Sequence, residues 1–489
     1  MLFNSFQFIL IFLPATIIIY FLLNTNRLVL AGKAWLVLAS LFFYSYWNVK
    51  YLALILFSIA VNYGIGTILI EYPKIRISRK GILYIGIIFN VLLLGYYKYT
   101  DFIIGNINFL TGANLGLQHI VLPLAISFFT FTQIAYLVDS YKMEVKERDF
   151  LNYCFFVSFF SHLIAGPIVH HREMMPQFSR LRSKVFNWKN FMPGLFLFAI
   201  GLFKKVVLAD TLAPWANTGF DNAESLSFLP AWVASLSYTF QIYFDFSGYS
   251  DMALGTAAMF NVELPINFNS PYKAVNIQDH WQRWHMTLSR FLRDYIYIPL
   301  GGNRFGESKA IKNVLITFLI GGLWHGAGWT YVIWGAMHGV ASIIHRLWKR
   351  LNISMPRLLA WFITFNFVNL CMTVFKATSI KNALDVLAGM FGFHSFVFPK
   401  FMEGFFEALH IQGVSYGSYI REVNGDFYLT PLYLLVSAMI IFLAPNGNEL
   451  RKRFKPHFLY ILLTAALLFF SLSFILSSRY SSEFIYFNF

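Results

Sequence analysis

Apolar runs long enough to cross a lipid bilayer recur along this chain, and nothing else in it limits the fold as strongly. The clearest lie near 5–23, 31–48, 51–70, 81–97, 119–140, 191–209, 229–246, 357–376, 430–445 and 457–478. About 20 helical residues cover the hydrocarbon core, and lipid supplies no partner for backbone polar groups, so spans must satisfy their own hydrogen bonds. Only 12% of the 489 residues are charged and 57% are hydrophobic, against about 25% charged in soluble domains. The pattern predicts an all-α polytopic membrane protein, with residues 1–489 forming one integral membrane domain. The opening run has no positive segment before it and no small-residue cleavage site after it, so it reads as a first span rather than a signal peptide. Cys154 and Cys371 stand far apart and give neither a disulfide framework nor a metal-ligand spacing.

The formal net charge of +15 raises nucleic acid as a partner. The location of the charge argues against it. Basic residues gather in short loops between apolar runs, as "EYPKIRISRK" (71–80), "KMEVKER" (142–148), "HREMMPQFSRLRSKVFNWK" (171–189) and "NELRKRFKPH" (448–457), which is how orientation signals in a membrane protein look. The stretches 100–119 and 210–230 contain no Lys or Arg. The bilayer is therefore the expected partner and nucleic acid is not. Basic loops fall in the cytoplasm, which places both the N-terminus and the C-terminus on the other face.

Two apolar regions, 151–168 and 313–345, have basic flanks on both sides. A single span cannot begin and end on one face, so each is expected to enter, turn and return. In the second, the turn falls at "GGLWHGAG" (321–328), where four glycines allow tight backbone. Non-helical backbone at membrane depth persists where protein or a wet cavity surrounds it, which points to a central site. Residues 378–429 form a non-cytoplasmic insertion in this scheme. Within it, "FPKFMEGFFEALH" (398–410) reads as an interfacial amphipathic helix, either a partner surface or a structural lid. Residues 479–489 form an aromatic tail on the same face.

Three stretches carry residues able to do chemistry. His325 sits at the glycine-rich turn, and a titratable group at that depth is costly unless paired or used; it is either a base for a hydroxyl or a packing histidine. His338 reads as packing. In "FNSPYKAVNIQDHWQRWHMTLSRFLRDYIYIPLGGNR" (268–304), one helix would put Trp281, His285, Ser289 and Leu292 on one face and Arg283 and Arg290 on another. Such a strip suits a phosphate-bearing ligand at the cytoplasmic rim, or headgroup contact by snorkelling cations. In "QIYFDFSGYSDMALG" (241–255), Asp245 and Asp251 are six apart and face opposite ways; they read as organisers of helix ends. The histidines form neither HExxH nor a Cys/His cluster, so no metal site is expected.

Four stretches together, "LIAGPIVHH" (163–171), "YFDFSGYSDMALG" (243–255), 268–304 and "GGLWHGAGWTYVIWGAMHG" (321–339), resemble the membrane-bound O-acyltransferases. The likeness is to the bacterial branch that acetylates polysaccharides such as alginate and peptidoglycan. It implies a multi-helix bundle around a funnel, with re-entrant segments, in the bacterial inner membrane. It implies acetyl-CoA as a cytoplasmic donor, contacted by Trp281, Arg283, Ser289, Arg290 and Trp324, and a glycan acceptor on the other face. The family's invariant histidine falls on His325 and its second active-site histidine on His285.

The ending "FIYFNF" also resembles the ends of these acetylases, and of a companion peptide in D-alanylation systems whose tyrosine is thought to carry the acyl group. Here that residue is Tyr486. From the residues alone it reads as an interfacial anchor; the resemblance implies a carrier that hands acetyl to a secreted or membrane-anchored SGNH-type acetyltransferase. A transporter, given the re-entrant segments, and a scaffold that recruits a secreted enzyme stay open as alternatives.

Overall fold

The computed structural model describes residues 1–72, 76–410, 413–417, 420–477 and 484–488. Parts of the basic loop 71–80, the insertion 378–429 and the tail 479–489 therefore lie outside the described residues. The described residues are mainly helical. The only described strands are Phe396–Phe398 and Val414–Tyr416, paired in parallel. Among the described residues, six helices are long and apolar enough to cross a membrane, Gln7–Thr25, Lys50–Glu71, Arg79–Thr111, Trp188–Asp221, Arg357–Lys376 and Phe458–Ser477. A seventh is added if Leu429–Phe442 and Gly447–Arg453, bent by 59°, count as one span.

Fewer helices meet that standard than the ten apolar runs, though each run falls on helix. The difference has a physical cause. Val29–Ser45 is short, and the run 119–140 is helical only from Ile126. The run 229–246 lies inside the 32-residue helix Phe228–Met259, which is buried along nearly its whole second half. A helix enclosed by other helices carries polar side chains where protein pairs them. The segment 100–111, read as a loop, continues the helix of 79–94 through a π-helical turn at Gly95–Tyr99.

The chain forms two compact units. The first comprises Met1–Leu202, Tyr249–Asn267 and Gly447–Leu468. Its helices are tied by a buried polar ladder: Asn62 and Asn90 exchange amide hydrogen bonds at 3.2 and 2.6 Å, Gln133 donates to Ser58 Oγ at 2.9 Å, and Tyr153 donates to Gln133 at 3.1 Å. Phe3, Phe8, Phe12, Phe43 and Phe160 pack edge and face beside it. The region 151–168 is broken at Phe159 between helices Phe150–Ser158 and Phe160–Leu163, and it is buried from Tyr153 onward. Asp251 lies against Gly447, the first residue of helix Gly447–Arg453, so closely that a Cβ there would meet its Oδ2 at 2.3 Å.

The second unit comprises Phe203–Gly248, Phe268–Asn446 and Phe469–Phe489. Its centre is the helical hairpin Glu307–His325 and Trp329–Trp348, joined through Gly326–Gly328. The return expected near 321–328 is present, but Gly321 and Gly322 belong to the first helix. They serve close approach instead of the turn. A Cβ on Gly322 would meet Tyr331 O at 2.3 Å, and one on Gly335 would meet Phe318 O at 2.5 Å. Small residues let membrane helices touch backbone to backbone.

The amphipathic helix expected at 398–410 is replaced by a strand end, a 3₁₀ turn at Lys400–Met402 and a six-residue helix Glu403–Ala408. Pro399 ends the strand, and the apolar residues alternate too irregularly to line one long helical face. Phe393, Phe401 and Phe405 remain exposed there.

Gly335→Ala is expected to wedge the hairpin apart, because the atom it meets is backbone and cannot rotate away. The cost should be about 2 kcal/mol, read as a lower unfolding midpoint of the purified protein in detergent.

Candidate functional site

His325 ends the first hairpin helix and is 2% exposed. Its ring is fixed on several sides: Trp324 and Trp334 each lie 5.0 Å away between centroids and Phe375 5.3 Å, all edge-on. The remaining side meets Tyr486, whose hydroxyl is 3.3 Å from His325 Nδ1. Tyr486 is itself 4% exposed. Its ring lies 3.9 Å from that of Phe246, and Phe484 packs on the same phenylalanine at 6.2 Å.

His285 reaches this cluster through a break in the backbone. The expectation of one continuous helix through Trp281, His285 and Ser289 is wrong. Helix Ile277–Trp281 stops, and helix Met286–Leu292 starts afresh after His285, whose φ of 43° is left-handed. Histidine accepts this region more readily than most residues, but not freely, and such strain gathers at functional sites. The break turns His285 away from its expected face. Its ring lies 4.8 Å from Phe246, 5.9 Å from Tyr486 and 6.3 Å from His325.

Trp281, Ser289 and Leu292 keep a common face, and it lines a cavity of about 730 Å³. Four permanent cations line it, Arg290, Arg293, Arg346 and Lys349, and none of its lining residues is a carboxylate. Asp294 and Glu307 stand outside the lining and hold Arg293 and Arg346 at 2.7 Å each. Two of the expected ligand residues fall elsewhere. Arg283 is outside the lining, bound to Asp279 at 2.7 Å in an i, i+4 pair. Trp324 packs between the two histidines, 5.9 Å from His285, rather than on the cavity. The wall and the histidine are linked: Trp281 lies 5.8 Å from Trp334, which packs on His325. His338, read as packing, accepts the indole N–H of Trp281 at 3.3 Å.

Behind Tyr486, Lys205 bridges Asp210 and Asp245 at 2.7 Å each, and all three side chains are at most 5% exposed. Sequence reasoning noticed Asp245 and missed Lys205 and Asp210. The signal was there, since Lys204, Lys205 and Asp210 interrupt the apolar run 191–209 and its edge. Among the described residues, no group of three His, Cys, Asp or Glu side chains is placed to hold a metal ion. In the first unit, "LIAGPIVHH" supplies His170 and His171, which face Asp139 and Glu147 at 3.7 and 3.3 Å.

An all-α membrane protein that buries a hydroxyl against an imidazole, with a cationic cavity one tryptophan wall away, has the parts of an enzyme that moves an acyl group. Comparison with known proteins agrees with that class. The model of the membrane-bound O-acyltransferase family matches residues 3–382, and the chain belongs to that family. A peptidoglycan O-acetyltransferase of Helicobacter pylori is 46% identical over all of this chain and 98% of its own. A probable alginate O-acetylase of Pseudomonas aeruginosa is 37% identical, covering 80% of this chain and 75% of its own. A teichoic acid D-alanyltransferase of Streptococcus thermophilus is 27% identical over 53% and 70%. The protein is therefore a multi-pass membrane acyltransferase.

Trp281→Phe keeps an aromatic ring, smaller than the indole, and removes its N–H, leaving His338 Nδ1 buried without that donor. The expected loss is about 2 kcal/mol, measured by thermal unfolding, with a matching weakening of ligand binding in the cavity.

Proposed function

We propose that this protein moves an acetyl group from acetyl-CoA to Tyr486 and onward to an extracytoplasmic polysaccharide. The observation that carries the reading is the Tyr486 hydroxyl on His325 Nδ1 at 3.3 Å. A phenol with a pKa of about 10 is a poor nucleophile near neutral pH and needs a base beside it. With the hydroxyl as donor, Nδ1 carries the lone pair and the histidine's own proton sits on Nε2.

The phenolic oxygen attacks the thioester carbonyl as its proton passes to Nδ1. The carbonyl becomes an oxyanion, for which an N–H of His285 is the nearby donor. When the oxyanion collapses, the C–S bond breaks and His325 returns the proton to the thiolate. Acetyl-tyrosine and free CoA result, with charge and protons balanced. The donor's phosphates are matched by Arg290 and the other cations of the carboxylate-free cavity, which support a CoA ester over a neutral donor.

Tyr486 is too buried to meet a glycan where it lies, so the tail carries the acetyl outward. A secreted or membrane-anchored acetyltransferase of SGNH type then takes it to the sugar hydroxyl. In this reading residues 1–489 act as one membrane domain of the inner membrane. The basic loops face the cytoplasm, and the insertion 378–429 and the tail face outward. The acceptor class follows from the peptidoglycan and alginate acetylases to which the chain is similar.

His325→Ala should lower transfer from labelled acetyl-CoA on the order of a thousandfold with expression unchanged; near-normal transfer would remove His325 from the chemistry. Tyr486→Phe should leave no acid-stable label on the tail peptide and stop acetylation of glycan in cells. In steady-state kinetics, Arg290→Gln should raise the donor KM about tenfold with little change in kcat.

A further inference from the structure

The proposed chemistry makes no use of the buried charges behind Tyr486. Lys205 lies in the π-helical turn Lys204–Ala209, Asp210 begins the next helical segment, and Asp245 lies within helix Phe228–Met259. Two carboxylates flank one ammonium in a buried setting. A buried carboxylate is costly unless further donors reach it. One donor comes from the tail: Ile485 N–H points to Asp245 Oδ2 at 3.1 Å.

The next residue of the same helix is Phe246, whose ring holds those of Tyr486 and Phe484. Adjacent residues of a rigid helix thus grip adjacent residues of the tail. The carboxylate takes the backbone of 485, and the ring takes the side chains on either side. A backbone contact fixes register without specifying the residue, and the rings specify what flanks it.

We propose that Asp245, oriented by Lys205 and Asp210, is a docking site for the tail backbone and a positioning residue for Tyr486, recognising a peptide of the form aromatic–any–tyrosine. This rests on the reading of Tyr486 as acyl acceptor. Lys205 aims the carboxylate of Asp245, and Asp210 holds the ammonium from its other side. The same geometry gives a direction to the cycle. Acetylation removes the phenolic proton, so the ester can no longer donate to His325 Nδ1. Docking then loses that hydrogen bond, and the loaded tail leaves more readily than the empty one.

Hydrogen–deuterium exchange of the full-length protein in nanodiscs measures the contact directly. Amides of residues 485–488 should exchange slowly in the parent protein. Asp245→Ala, which leaves Lys205 paired with Asp210, should speed them about tenfold while helix Arg357–Lys376 keeps its protection. Ile485→Pro removes the donor and leaves the triad untouched; it falls on the first residue of the 3₁₀ turn Ile485–Asn488, where proline is accepted. It should release residues 486–488 to the same extent, and the double variant should exchange no faster than either single one. Slow exchange retained in either single variant overturns the proposal, and Ile485→Pro decides the matter even if Asp245→Ala misfolds.

Exchange is read without acyl transfer, so the two readings separate. Parent tail protection lost on Asp245→Ala, in a protein whose Tyr486 never takes label, keeps the docking site and removes the carrier. Labelled Tyr486 with exchange unchanged by Asp245→Ala does the reverse.

Discussion

Lipid offers no hydrogen bond, and this structure follows from that lack. Every polar group carried to depth must find its partner in the protein, and the partners available decide where helices meet. In the first unit the solution is neutral: amides and hydroxyls of Asn62, Asn90, Gln133 and Tyr153 close on one another. In the second it is ionic, with Lys205 between two carboxylates. The neutral ladder is self-contained. The ionic cluster holds two buried carboxylates, and a tail N–H is among the groups that reach them. A requirement of burial thereby becomes a means of binding a peptide.

Backbone geometry does the rest of the positioning. The glycine contacts at 322 and 335 bring the hairpin helices together at backbone distance, which sets the end of the first helix, and with it His325, against Trp334 and Phe375. The left-handed His285 performs the complementary task. A straight helix would aim it with Trp281 and Ser289 into the cationic cavity. The break sends it to the tyrosine and leaves the cavity wall continuous from Trp281 to Leu292. One strained residue thus separates a surface suited to the donor's phosphates from a surface suited to the reacting atoms.

Much of this was legible in the residues. Apolar runs located the helices, and glycine spacing with like-charged flanks located the hairpin, because both are local consequences of composition. His325 and Tyr486 stood out as polar groups in apolar surroundings. The conformation of His285 was not legible: Asp279 through Ser289 has good helical periodicity, and the break depends on tertiary contacts with Phe246 and Trp324. Arg283 misled for a similar reason, since an i, i+4 partner at Asp279 satisfies it locally. Lys205 and Asp210 lie five residues apart on one helical stretch, but Asp245 joins them from another helix, a pairing that no single segment contains.

The proposed use of a tyrosine as carrier fits the constraint from which the structure starts. On the proposed reading, CoA brings phosphate charges that cannot follow its acetyl group through an apolar interior, and the cationic cavity would hold them where they enter. Acetyl-tyrosine has no charge and no hydroxyl proton, so its side chain needs no counter-ion or acceptor at depth. Its phenol, with a pKa of about 10, is a stronger acid than a sugar or serine hydroxyl and so a better leaving group. An acetyl ester there is stable enough to move and reactive enough to be passed on. On the proposed reading, the step that makes the tail a donor is also the step that removes its hydrogen bond to His325.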